Sequence, residues 1–135
     1  MPSYLLDTNA VADAIREHAA IKARIAAEPS GELLTSVVVV GEIRYGLERL
    51  AAGKRRDDLE VKARRVLGGL RCVVVTEAAA NTYGRMKRTL ETHGLSLDDN
   101  DLWIAATALS LPAVLISRDT DFTRIPTLHL EDWTK

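Results

Sequence analysis

The chain is short of several things at once. One cysteine in 135 residues excludes an internal disulfide framework and any cysteine-rich zinc site. The three histidines, His18, His93 and His129, form no pair at zinc-ligand spacing. Aromatic residues make up 4%, too few for a base-stacking platform of the RNA-recognition-motif kind. The net charge is -1, from 18 basic and 19 acidic side chains, so the chain is no uniformly basic nucleic-acid coat, though a local patch stays possible. The longest apolar zone, Leu102 to Ile116, is broken by Thr107, Ser110 and Pro112 and falls short of the ~20 apolar residues of a membrane span. No basic region precedes an apolar core at the N-terminus, so no secretory signal is read and a cytoplasmic protein is expected. No Pro-, Gly- or Ser-rich linker and no repeat divides the sequence, and the length suits one domain over residues 1–135.

What is present is an alternation of short apolar runs with longer helical patterns. Strands are predicted at Ser3 to Leu6, at Leu33 to Val37 running on into Val38-Val39-Val40, at Arg71 to Val75 and at Ala113 to Ser117, with a fifth, Thr127 to Leu130, as an edge. The runs are apolar rather than alternating, which suits strands covered on both faces, and Cys72 within the third reads as a buried, inert thiol. Between them Leu59, Ala63, Val66, Leu67 and Leu70 keep helical spacing, as do Ala79, Tyr83, Met86 and Leu90, which Gly94 follows as a C-terminal cap. A further helix starts near Asp98, carries Leu102, Ala105, Ala106 and Leu109, and ends before Pro112; two shorter helices fit before Pro29. The alternation predicts an α/β fold with a mostly parallel sheet of four to five strands.

Sites in such sheets form beyond the carboxyl ends of the strands. Asp7-Thr8-Asn9 follows the first predicted strand, Glu42 lies one turn into the helix after the second, Thr76-Glu77 ends the third, and Ser117-Arg118-Asp119-Thr120-Asp121 follows the fourth. Asp98-Asp99-Asn100-Asp101 opens the helix that precedes the fourth. Each has an ordinary structural explanation: Asp7 or Asn9 as a helix cap, Asp98 with Asp101 as a capping box, Asp119 and Asp121 as turn residues, Glu42 as a solvated helix position. Gathered together they are harder to dismiss, because two carboxylates ~5 Å apart repel by roughly 3 kcal/mol at an effective dielectric of 20. The only obvious basic neighbours are Arg44 and Arg118, so a divalent cation is the economical answer, and oxygen-only ligands select Mg²⁺ or Mn²⁺.

Four blocks in order, Asp7-Thr8-Asn9, Val-Gly-Glu42-Ile-Arg-Tyr-Gly, Asp101-Leu-Trp-Ile-Ala-Ala-Thr-Ala and Ser117-Arg-Asp119-Thr-Asp-Phe, resemble the PIN-domain ribonucleases, and within them the VapC-type toxins of toxin–antitoxin pairs. The terminal Ile-Pro-Thr-Leu-His-Leu-Glu-Asp-Trp adds to the likeness, which spans essentially the whole chain. The resemblance implies a three-layer α/β/α domain and an acidic quartet, falling on Asp7, Glu42, Asp101 and Asp119, around one or two Mg²⁺ or Mn²⁺ ions. Asp98 competes for the third place and Asp121 for the fourth, while Asn9 and Ser117 match positions that help hold the site. It further implies hydrolysis of RNA phosphodiesters, in transfer or ribosomal RNA, leaving a 5′-phosphate and a 3′-hydroxyl. The partners implied are a homodimer and a cognate VapB-type antitoxin through which promoter DNA is bound, with no membrane.

RNA also needs positive charge. Between Ile43 and Arg71 nine basic residues face four acidic ones, a net +5, and the run Lys54, Arg55, Arg56 is expected to contact phosphates. The plainer account is solvated helix faces with pairs such as Arg44 with Glu48 and Asp58 with Lys62. Other acid-bearing folds fit less well. A haloacid-dehalogenase phosphatase needs a second Asp where Asn9 stands, a receiver domain needs an Asp after the third strand, and a PIN fold serving only for binding would have lost some of its acids.

Overall fold

Tyr4–Leu6 forms the central strand, β1, because Leu5 and Leu6 can be buried on opposite faces of a covered sheet, and both are fully buried. The computed structural model describes residues 2–135. After β1 come α1 (Thr8–Ile15), α2 (Ala19–Ala27), β2 (Leu33–Ser36), α3 (Val37–Glu48), α4 (Lys54–Gly68), β3 (Arg71–Val73), α5 (Glu77–Thr92), α6 (Asp99–Ser110), β4 (Val114–Ile116) and β5 (Leu130–Glu131). The sheet order is β3-β2-β1-β4-β5 and every pairing is parallel, with Leu5 opposite Leu34 on one side and Leu115 on the other. Helices α1 to α4 pack on one another and α5 packs along α6, flanking the sheet in an α/β/α arrangement. Among the described residues no helix is long and apolar enough to cross a membrane.

The chain leaves β1 for β2 and β3 on one side and returns to β4 and β5 on the other, so the sheet reverses direction between β1 and β4. At such a reversal the connections diverge and leave a crevice at the carboxyl ends of the strands. Asp7 lies at the end of β1 and Ser117 to Asp119 at the end of β4, with the Asp7 N–H donating to the Ile116 carbonyl at 3.1 Å.

Three local expectations change. Val38-Val39-Val40 does not extend the second strand: β2 stops at Ser36, whose hydroxyl accepts the Val38 N–H at 3.0 Å and so caps α3. β-branched residues disfavour helix by only tenths of a kcal/mol, and the buried series Val39, Ile43, Leu47 at four-residue spacing outweighs that. The third strand ends at Val73 and is an edge paired only to β2, so Arg71 and Cys72 are exposed; Cys72 is a free surface thiol, not a buried one. The fifth strand begins at Leu130 rather than Thr127, as a two-residue edge.

Helix α5 ends as its sequence requires. Gly94 takes φ +69, its N–H bonds to the Glu91 carbonyl at 3.0 Å, and the Leu95 N–H reaches the Leu90 carbonyl at 2.9 Å. Only glycine adopts that left-handed conformation without strain. Gly84, by contrast, lies mid-helix and exposed, with open space where a Cβ would go. Gly94→Ala should therefore destabilise the fold by about 1–2 kcal/mol, whereas Gly84→Ala should stabilise it by about 0.5–1 kcal/mol. Urea unfolding of both variants, with an unchanged slope, checks the opposite signs.

Candidate functional site

Asp7 caps α1: one carboxylate oxygen accepts the Ala10 N–H at 2.8 Å. The side chain is 3% exposed, and burial pushes its pKa up to about 6. The neighbouring Ser117 hydroxyl and the Ala10 bond oppose that rise, the negative charge of Asp119 adds to it, and the Arg118 cation counters it weakly. Asp119 caps the 3-10 turn Thr120–Arg124, accepting the Asp121 N–H at 2.9 Å, and its own N–H is held by the Ser117 hydroxyl oxygen at 3.0 Å.

Asp101 lies in the first turn of α6 and is half-buried. Its pKa is pushed up to about 7, first by burial and then by the charges of Asp98, Asp119, Glu42 and Asp7, in that order. The other three quartet members of the sequence reading therefore all act on Asp101. Glu42, half-buried on α3, has one oxygen fixed by the Thr8 hydroxyl at 2.6 Å. Among the described residues no three His, Cys, Asp or Glu side chains are closed into a ready-made metal cage. What is present is a set of oxygen donors in electrostatic reach of each other, two of them carrying raised pKa values. That donor set suits a hard divalent ion, which would relieve the repulsion that the pKa values register.

The rivals separate by their contacts. Asp98 is exposed and caps α6 through the Asn100 N–H at 3.2 Å, yet exerts the largest charge effect on Asp101. Asp99 is drawn away, accepting from the Tyr83 hydroxyl and pairing with Lys87 at 3.5 Å. Asp121 pairs with Arg124 at 3.2 Å within its own turn. Neither expected basic neighbour is free to neutralise the acids: Arg44 is paired with Glu60 at 2.6 Å, and the Arg118 Nε donates to Asp13 at 2.8 Å.

Asn9 lines a cleft of about 330 Å³ beside Thr8, Glu42, Arg16 and Arg55, floored by Ile43, Leu47 and Leu50. In the expected phosphate-binding run, Lys54 pairs with Asp58 at 3.1 Å and Arg56 with Glu48 at 3.2 Å, while Arg55 is the one that lines the cleft. The surface pairs expected around this region form with other partners, since Arg44 takes Glu60 and Lys62 takes Glu17. Two contributors were missed in the sequence. Thr8 sits inside the Asp-Thr-Asn block but showed no sign of reaching Glu42 across 34 positions, and Asp13 carried no signal at all.

The raised pKa values have a sign. Asp7 and Asp101 bind protons more readily folded than unfolded, so their contribution to stability is fully present below the unfolded pKa and is lost as pH rises through about 6 and about 7. Melts in EDTA should give a Tm that rises as pH falls from about 7.5 to about 5. Asp7→Asn, which keeps the cap, should flatten that rise and lift the Tm at the upper end; a wild-type Tm that falls over this window would contradict the assignment.

Comparison with known proteins agrees with this geometry. The PIN domain family matches residues 4–128. Ribonuclease VapC1 of Haemophilus influenzae (strain R2866) is 32% identical over 136 residues, covering 98% of each chain. Among solved structures, VapBC-1 from nontypeable Haemophilus influenzae superposes with a TM-score of 0.85 at 29% identity over 98% of both chains. VapBC2 from Rickettsia felis, bound to a DNA fragment from their promoter, has a TM-score of 0.85 at 28% identity over 96% of this chain and 98% of that one. A parallel five-stranded sheet with acids gathered at its reversal point, matched in sequence and in fold over nearly its whole length, belongs to the PIN-domain family and, within it, to the VapC ribonucleases.

Proposed function

We propose that the protein is the endoribonuclease toxin of a toxin–antitoxin pair, hydrolysing phosphodiester bonds of a structured RNA, transfer or ribosomal, at a carboxylate-held Mg²⁺ or Mn²⁺ site. The observation that carries the metal reading is that burial and the charges of Asp7, Glu42 and Asp119 raise the proton affinity of Asp101, and burial with the charge of Asp119 raises that of Asp7, while the Arg118 cation is tied to Asp13. The names of the relatives support the RNA substrate, and the solved VapBC complexes support an antitoxin partner that brings the pair to promoter DNA. A second copy of the chain, a homodimer, belongs to the same reading, as does a single domain over residues 1–135 located in the cytoplasm.

Asp7 and Asp101 would hold the ion, and Glu42 and Asp119 would bind a second ion or orient the attacking water. When bound, the ion supplies Lewis-acid chemistry, lowering the pKa of water and neutralising charge on the phosphate. Ser117 holds the Asp119 N–H through its hydroxyl oxygen and favours the charged form of Asp7. Asn9 flanks Asp7 from the first turn of α1 and borders the cleft where the nucleotide chain enters. Arg55, with Lys54 and Arg56 behind it, meets the phosphates next to the scissile one. Attack by water accounts for a 5′-phosphate and a 3′-hydroxyl as products, since no histidine pair is placed to use the 2′-hydroxyl.

Two tests follow from these roles. Asp7→Asn, Asp101→Asn, or EDTA on the wild type, should each lower cleavage of total RNA by at least about a hundredfold, read as 5′ ends mapped after brief incubation; wild-type rates in either variant would refute the site. Arg55→Ala should weaken RNA binding and reduce the slope of log K against log salt by about 1. Lys54→Ala and Arg56→Ala, whose charges are shared with Asp58 and Glu48, should change that slope less.

A further inference from the structure

Arg118 stands in the chain between Ser117 and Asp119, two residues at the heart of the acid cluster, and its charge is felt by Asp7. A guanidinium beside several mutually repelling carboxylates is their natural counter-ion, since its fork of donors fits carboxylate oxygens. Its side chain nevertheless turns to α1, where Nε donates to Asp13 Oδ2 at 2.8 Å. Asp13 is only 8% exposed, on a helix whose buried positions are otherwise apolar. A carboxylate taken out of water is costly unless it is paired. Its other oxygen reaches only the exposed Arg16, at 3.9 Å. Among the described residues the ion-pair partners of the Asp13 carboxylate are Arg118 and Arg16, and the short bond is the one that orients the Arg118 guanidinium, which also feels the Asp132 charge.

We propose that Asp13 is a positioning residue that holds the Arg118 guanidinium off the carboxylate cluster and so keeps the cluster open to a divalent cation. This rests on the metal reading above. Released from Asp13, Arg118 swings onto Asp7 and Asp119 and competes with the ion from within the chain. The pair spans 105 positions in sequence, and it opposes a self-inhibited state in which the protein supplies its own counter-charge.

The test is calorimetric titration with Mn²⁺ of the full chain near neutral pH, for wild type, Asp13→Asn, Arg118→Ala and the double variant, with thermal melts to establish folding. Asp13→Asn should bind Mn²⁺ about tenfold more weakly. The double variant should return to within about threefold of wild type, because the competing cation is gone. Arg118→Ala alone should bind at least as tightly as wild type. Asp13→Asn binding as wild type does, or a double variant as weak as Asp13→Asn, overturns the proposal, and so does Arg118→Ala binding more weakly than wild type, a result that decides the matter even where Asp13→Asn fails to fold. A wild type that takes up no Mn²⁺ sinks the metal reading and this proposal together, an outcome distinct from any of those.

Discussion

Like charges brought together at the mouth of a buried sheet are the constraint on which this structure turns. Parallel strands covered by helices on both faces must be apolar along their length, and β1 and β4 are. Whatever polar chemistry the fold carries is therefore displaced to the strand ends, and the reversal between β1 and β4 is the one place where two ends open onto a common crevice. Asp7 and Asp119 arrive there from the strands, Glu42 and Asp101 from α3 and α6. Their mutual repulsion and partial burial are expressed in the carboxyls of Asp7 and Asp101, held near neutral pH rather than in the usual carboxylate range. A hard cation held by these carboxylates would offset that repulsion.

The ordinary and the functional readings of these acids turn out to be compatible. Asp7, Asp98 and Asp119 each accept a backbone N–H and cap the element that follows. Capping fixes one oxygen of each carboxylate and so limits the freedom of the side chain without any further contact. The same economy applies to Ser117, whose hydroxyl accepts the Asp119 N–H and favours the charged form of Asp7. Secondary structure thereby sets the angular precision of the site, and a cap that looks merely structural is part of the arrangement that aims a ligand.

What could be read from the sequence depended on whether the signal was local. The helices were legible because Leu59 to Leu70 and Ala79 to Leu90 repeat every three to four residues, and the acidic blocks were legible because they follow apolar runs. The valines 37–40 misled because β-branching is a weak preference, while the Ser36 cap and the four-residue series Val39, Ile43, Leu47 declare themselves only once packing is known. Cys72 misled for a related reason: an apolar run signals a strand but not whether that strand is central, and β3 lies at an edge. Strand order, the Thr8 bond to Glu42 and the Asp13 pair with Arg118 join positions 34 and 105 apart, where no periodicity connects them.

Charge distribution links the metal to the substrate. The chain is nearly neutral overall, yet the charges of Asp7, Glu42 and Asp119 all act on Asp101, while α4 is rich in cations, several of them already paired, as Lys54 is with Asp58 and Arg56 with Glu48. A polyanion approaching the metal-free site meets repelling carboxylates and only a few uncommitted cations such as Arg55, so the bare protein has little to hold RNA against the crevice. A divalent ion changes the sign of the potential at the point where the scissile phosphate must sit. Ion uptake and RNA capture are then thermodynamically coupled, each raising the affinity for the other by the same factor. A basic side chain offered by a protein partner would compete with such an ion for the same carboxylates.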